Sequence, residues 1–208
     1  LLYQVISDFC SEKADMDPKK ISAVDMGYVF ENLVQRFSES YDEEAGAHFT
    51  SRDIIYLMCD LLTEKMGMSE EGRIYTVYDM AMGTSQMLTC MEERLSVLDK
   101  EAKLICYGQE INPFTFGIAK ADMLIRGGDP ENMQFGNTLS EDKFSGMTFD
   151  FVISNPPFGI DWKREATKVE AENKLGNGGR FAPGLPPKSD GQMLFLMNGI
   201  AKLKDTGH

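Results

Sequence analysis

The stretch FDFVISNPPFG (residues 149–159) runs apolar residues straight into Asn155, Pro156, Pro157 and Phe158. Its first half reads as a strand buried on both faces, because short continuous apolar runs suit a covered parallel sheet. Proline has no N–H for a sheet ladder, so the strand must stop at Asn155, and a rigid turn follows at its C-terminal edge. In open α/β sheets that edge is where ligands bind. Asn155 offers a side-chain carbonyl oxygen, and two consecutive rings of fixed φ hold the carbonyl of Pro156, so two acceptors can converge on one NH₂ group. An amine donating to both turns its lone pair out of conjugation and becomes nucleophilic. Phe158 adds a flat apolar face on which a planar base can stack, a contact worth about 1–3 kcal/mol.

These residues need a sheet to carry them, and the alternation of periods supplies one. RIYTVYD (73–79), KLICYGQE (103–110), NMQFGN and TFDFVISN read as strands, while TSQMLTCMEERLSVLDKEA, NPFTFGIAKADMLIRGG and QMLFLMNGIAKLK read as helices. Strand alternating with helix predicts right-handed βαβ units and a doubly wound, mostly parallel α/β sheet. The polar residues at the strand exits, Asp79, Glu110, Asn137 and Asn155, then fall along one edge.

Ahead of the sheet, VDMGYVFENLVQRFSESY spaces Met26, Val29, Phe30, Leu33, Val34 and Phe37 as one apolar helical stripe. A second amphipathic helix is expected from Ser51, a plausible N-cap, to near Gly67. We expect residues 1–40 to be a helical segment preceding a catalytic domain over 41–208. No strand follows the last helix, so the sheet is expected to be incomplete at the C-terminus. The stretch from Pro156 to Gly191 is rich in Gly, Pro and charge and shows no apolar period, which predicts a functional or disordered loop.

The first βα turn, DMAMGTSQML, contains one glycine, Gly83. It lets backbone approach a ligand closely and leaves helix N–H groups free to cradle a polar group, but it lacks the G-x-G-x-x-G of a pyrophosphate site. Glu110, at the end of the second strand, can accept both hydroxyls of a ribose. The four cysteines include no C-x-x-C pair and there are only two histidines, so buried free thiols are expected and neither a zinc site nor a disulfide framework is. With 33 acidic and 21 basic side chains and a formal charge of −12, the chain has the wrong sign to hold duplex nucleic acid unaided. The absence of a basic leader and of any membrane-length apolar run predicts a cytoplasmic protein.

Taken in order, these motifs resemble the amino-methyltransferases that modify an exocyclic amine of a nucleobase, whose hallmark is an Asn/Asp-Pro-Pro-aromatic turn. GAHFTSRDIIYLM resembles the family's Phe-Thr-Pro segment, DMAMGTSQML its Asp-Pro-Ala-x-Gly-Thr/Ser turn, and GQEINPFTFGIAKADMLIRG its ribose motif. FGNTL stands in the place of Gly-Asp-Thr-Leu, which meets the adenine. The order is similar to that of the gamma subgroup. GQEINP and RFAPGLPPKSDGQMLFLMNGIAKLK look like the modification subunit of type I restriction-modification systems. The sequence departs from the family pattern at Ser51 and Met80, where proline is usual, at Ser85 and Gln86, where small residues are common, and at Asn137, where aspartate is usual.

The resemblance implies a Rossmann-like fold binding S-adenosylmethionine through His48, Phe49, Thr50, Ser51, Arg52, Asp79, Ala81, Gly83, Thr84, Ser85, Gln86, Glu110, Asn112, Asn137 and Thr138, with no metal. Asn155, Pro156, Pro157 and Phe158 would then methylate N6 of a flipped adenine in DNA. The acidic chain would leave most DNA contact to a specificity subunit, with a restriction subunit as a further partner. Methylation of a protein glutamine or of an RNA guanine amine is a rival within the same chemistry. A non-catalytic assembly module that kept only the fold is a rival from another class.

Overall fold

The computed structural model describes residues 2–11, 50–64 and 73–208, with a few isolated positions between them. The helix expected over the stripe from Met26 to Phe37 falls mostly outside the described residues, as do the connector before Thr50 and the helix end at Gly67. A short helix, α1 (Leu2–Phe9), precedes α2 (Arg52–Glu64), β1 (Ile74–Asp79), α3 (Gln86–Leu98), β2 (Lys103–Glu110), α4 (Pro113–Ile125), β3 (Met133–Phe135), β4 (Phe151–Val152), α5 (Ala166–Asn173) and α6 (Gln192–Ala201).

All strand pairs are parallel and the order is β3-β2-β1-β4. The chain therefore winds outward from β1 through β2 to β3, then returns to the other side of β1 to form β4. Such a reversal opens a crevice between the carboxyl ends of the two strands that flank it. Here those are β1, ending at Asp79, and β4, running on to Asn155.

Both faces of the sheet are covered, as the strand composition requires. Tyr75 and Val77 of β1 join a core with Leu88 and Met91 of α3 and Ala119 and Met123 of α4, while Tyr78 joins a second core on the opposite face. That second core corrects the expectation for the segment after Asn155. It is a folded cover: α5 forms within it, and Trp162, Ala166, Val169 and Phe181 are buried against Phe149, Leu194 and Phe195. Apolar side chains at irregular spacing carry this packing, so no helical or strand period betrays it. Arg180 ties the cover down through an ion pair with Glu172 at 2.6 Å and hydrogen bonds to the carbonyl of Thr138 and to Asn198 Oδ1.

Two further expectations change. β4 is shorter than the run TFDFVISN suggests, and its outer side is lined by the segment after α6: Phe149 bridges Leu203, and the Val152 amide donates to the carbonyl of His208. Among the cysteines, Cys59, Cys90 and Cys106 are buried thiols outside any disulfide, but Cys10 is exposed. Among the described residues no helix is long and apolar enough to cross a membrane.

Candidate functional site

A cleft of about 570 Å³ lies at the carboxyl ends of the strands and is lined by all four exit residues, Asp79, Glu110, Asn137 and Asn155. That volume suits a small organic ligand or cofactor.

Asp79 forms the floor. It is 1 % exposed, and its Oδ1 accepts from the Ala81 amide at 3.0 Å and from the Ser154 hydroxyl at 2.7 Å. Burial pushes its carboxyl up to about 7 against the pull of those two hydrogen bonds, with the charge of Glu110 adding to the rise. Ser154 carries no signal in the sequence, yet it locks the exit of β4 onto the exit of β1. Met80, in the usual place of proline, is buried in the second core and accepts from Asn198 Nδ2 through its sulfur.

Glu110 organises the two βα turns. Its Oε2 accepts from the Gly83 amide at 2.8 Å and its Oε1 from the Asn112 amide at 2.7 Å. The Gly83 N–H is thus taken by a side chain, and the carboxylate keeps a second lone pair on each oxygen. The turn depends on backbone that most residues avoid: Gly83 has φ +54°, and Ser85 has φ +69°. Gly108 on β2 permits it too, because a Cβ there would fall 2.2 Å from Met82 Sδ. Ser85 does not line the cleft. Its side chain is fully buried and its hydroxyl lies 3.3 Å from Asp122 Oδ2, a carboxylate that also accepts from Thr89 and Arg126.

Ala81, Gly83, Thr84, Gln86, Asn112 and Thr138 do line it. Two of these have structural employment as well: Asn112 Oδ1 caps α4 by accepting from the Phe114 amide, and the Thr138 hydroxyl donates to the Met80 carbonyl at 2.6 Å. Asn137 Oδ1 accepts from the Leu139 amide at 2.9 Å, while Nδ2 donates to Glu165 Oε1 at 2.8 Å.

On the other wall, Thr50 meets Asn155: Asn155 Nδ2 donates to Thr50 Oγ1 at 3.1 Å, which leaves Oδ1 as the end of the carboxamide open to a ligand. Thr50 is placed by α2, whose buried Ile55 and Cys59 pack in the same core as α3. Tyr56 and Arg52 hold α2 to Glu93 of α3, at 3.0 and 3.5 Å. Ser51 and Arg52 lie outside the cleft, and His48 and Phe49 fall outside the described residues. Pro157 lines the cleft, whereas Pro156 does not and Phe158 projects from the rim with 75 % of its surface exposed.

Sequence reasoning misses the residues that the folded cover brings in. Ile160, Asp161, Arg164 and Glu165 all line the cleft, and within the cover Lys163 pairs with Asp161 and Lys188 with Glu170. Among the described residues the ionisable lining is four carboxyl groups (Asp79, Glu110, Asp161, Glu165) against one guanidinium, Arg164. Such a lining favours a ligand that carries positive charge and hydroxyls over a polyphosphate.

A parallel sheet with its cleft at the winding reversal and an Asn-Pro-Pro-Phe rim defines a Rossmann-like methyltransferase fold. Residues 22–208 match the N-6 DNA methylase family, and the chain belongs to it. The type I restriction enzyme HindI methylase subunit of Haemophilus influenzae is 27% identical over 195 residues, which cover 92% of this chain and 40% of that protein. The MjaIX methylase subunit of Methanocaldococcus jannaschii is 26% identical over 179 residues, 84% of this chain and 30% of that protein. The chain thus spans well under half the length of these curated relatives. Among solved structures, the type I restriction-modification methyltransferase subunit of Streptococcus thermophilus superposes with TM-score 0.66 at 29% identity, covering 87% of this chain and 37% of that one. A putative class I S-adenosylmethionine-dependent methyltransferase of Listeria monocytogenes shares the fold, with TM-score 0.67 at 16% identity over 94% of this chain and 56% of that one.

Proposed function

We propose that this chain is the methyltransferase region of a type I modification subunit, which methylates N6 of adenine in DNA with S-adenosylmethionine. The observation that carries the reading is the convergence of Asp79, Glu110, Asn137 and Asn155 on one cleft beside the NPPF turn. The donor set fits the cofactor: carboxylates face a ligand bearing a sulfonium and an ammonium, Glu110 retains lone pairs for ribose hydroxyls, and Asn137 retains one for a nucleobase amine. S-adenosylmethionine supplies, when bound, a methyl group on a leaving group that needs no activation by the protein.

The chain's own part is to hold the target amine. Asn155 Oδ1, left open by the bond from Nδ2 to Thr50, and the Pro156 carbonyl would accept hydrogen bonds from the two N6–H groups and return the lone pair to the nitrogen, which sheds one proton to solvent after it has taken the methyl group. Phe158, exposed at the rim, offers the face on which a base turned out of the duplex stacks. Stabilising the charge that develops on N6 and positioning the two reactants account for the rate enhancement such a site can give. The −12 charge supports a separate basic subunit as the reader of DNA sequence.

The test is transfer of a tritiated methyl group from S-adenosylmethionine to duplex DNA, RNA and protein, followed by hydrolysis and identification of the product. N6-methyladenine from DNA, abolished by Asn155→Ala, is expected. Label in glutamine or guanine would place the chain with the other amino-methyltransferases, and no transfer together with no cofactor binding would make it an assembly module.

A further inference from the structure

The side chain of Asn137 is held at both ends. Its Oδ1 accepts from the Leu139 amide at 2.9 Å, and its Nδ2 donates to Glu165 Oε1 at 2.8 Å. Glu165 comes from the far side of the NPPF turn, 28 residues along the chain, and both side chains line the cleft. A free asparagine can rotate its carboxamide by half a turn and exchange acceptor for donor at little cost. This one cannot, because a rotation would set its carbonyl oxygen against the Glu165 carboxylate and its NH₂ against the Leu139 N–H.

We propose that Glu165 is a specificity-determining positioning residue: it fixes the polarity of the Asn137 carboxamide so that Asn137 presents an acceptor, and not a donor, to the base of the cofactor. The inference rests on the reading of the cleft as an S-adenosylmethionine site. Oδ1 has one lone pair beyond the bond from Leu139, and it suits an amino group such as the one at position 6 of adenine. A base with a carbonyl there, hypoxanthine, meets acceptor against acceptor. The pairing also explains how asparagine works where the family's usual residue is aspartate: an aspartate would put a second carboxylate at hydrogen-bond distance from Glu165, and the two charges would repel.

The experiment compares the affinities of S-adenosylhomocysteine and its inosine counterpart, S-inosylhomocysteine, by calorimetry, with the thermal midpoint of every variant recorded alongside. The wild-type chain is expected to prefer the adenosine compound by about tenfold or more, the value of one well-made hydrogen bond against one unpaired buried acceptor. Glu165→Gln keeps an acceptor for Asn137 Nδ2 and should retain the preference. Glu165→Ala removes one of the two holds on the carboxamide, leaving only the Leu139 amide, and should narrow the ratio measurably while the melting midpoint stays put. Asn137→Asp should weaken both compounds, and Glu165→Gln added to it should restore binding, because the new amide can donate to the new carboxylate. A change in affinity with an unchanged ratio in Glu165→Ala would assign Glu165 a merely structural role and overturn the proposal. Failure of the wild-type chain to bind either compound would overturn the cofactor reading itself, and this assignment with it; binding without base preference would overturn this assignment alone.

Discussion

The buried carboxyl of Asp79 should write itself into the pH dependence of stability. Burial raises it from 3.8 to about 7 in the folded protein, so the folded protein holds a proton there that the unfolded chain releases. A raised folded value means that the group's stabilisation is fully present below pH 3.8 and is lost as pH rises through about 7. At about 1.4 kcal/mol per pH unit, that rise is worth on the order of 4 kcal/mol in total, of which about 2–3 kcal/mol falls between pH 5 and pH 8. Asp79→Asn removes the titration and keeps an Oδ1 that can accept from Ala81 and Ser154. Urea unfolding of both proteins at pH 5, 6, 7 and 8 isolates this group, because every other titration cancels in the difference. The variant should gain on the wild type steadily up to about pH 7 and then run parallel to it. A separation that is constant across the range, or that shrinks as pH rises, would refute the reasoning. The same proton gives a second signature: a cationic ligand in the cleft favours the ionised carboxylate, so binding near pH 6.5 should release a proton and its calorimetric heat should vary with the buffer.

Other perturbations test separate parts of the structure. Trp162→Ala should destabilise by about 3–5 kcal/mol in urea unfolding, because the ring is buried in the cover over the second face; a loosely held loop would lose under about 0.5 kcal/mol. Phe158→Ala should leave stability within about 0.5 kcal/mol, since the ring is exposed, yet cut methyl transfer to DNA about 10- to 100-fold through lost base stacking. Ser85→Gly should be about 1–2 kcal/mol more stable than Ser85→Ala, because both lose the bond to Asp122 and only alanine bears the left-handed backbone of φ +69°; equal stabilities would contradict that geometry.

The strands and their exits are legible in the sequence because they follow a local rule. KLICYGQE is β2 from its first residue to its last, and the polar residue after each apolar run lands at one edge once parallel winding is granted. The Asn-Pro-Pro turn is legible for the same reason: proline's missing N–H is a statement about one position. Contacts made across long sequence separations are not legible. Gly83 to Glu110, Ser154 to Asp79, Asn137 to Glu165 and Asn155 to Thr50 join residues 27 to 105 positions apart, and no periodicity encodes them. The cover after Asn155 escapes a reading by period because its buried residues, Trp162, Val169 and Phe181, hang on turns and one short helix. Motif position alone points Ser85 at the ligand, whereas its left-handed backbone turns the hydroxyl inward to Asp122.

The measurement that tests the central claim most directly is a structure of this chain with S-adenosylhomocysteine bound. The ligand is expected across the strand ends, with ribose hydroxyls on Glu110, the adenine amine on Asn137 Oδ1, and the sulfur facing Asn155. A ligand seated elsewhere, or one lying in the cleft with Glu110 and Asn137 still committed only to their protein partners, would contradict it.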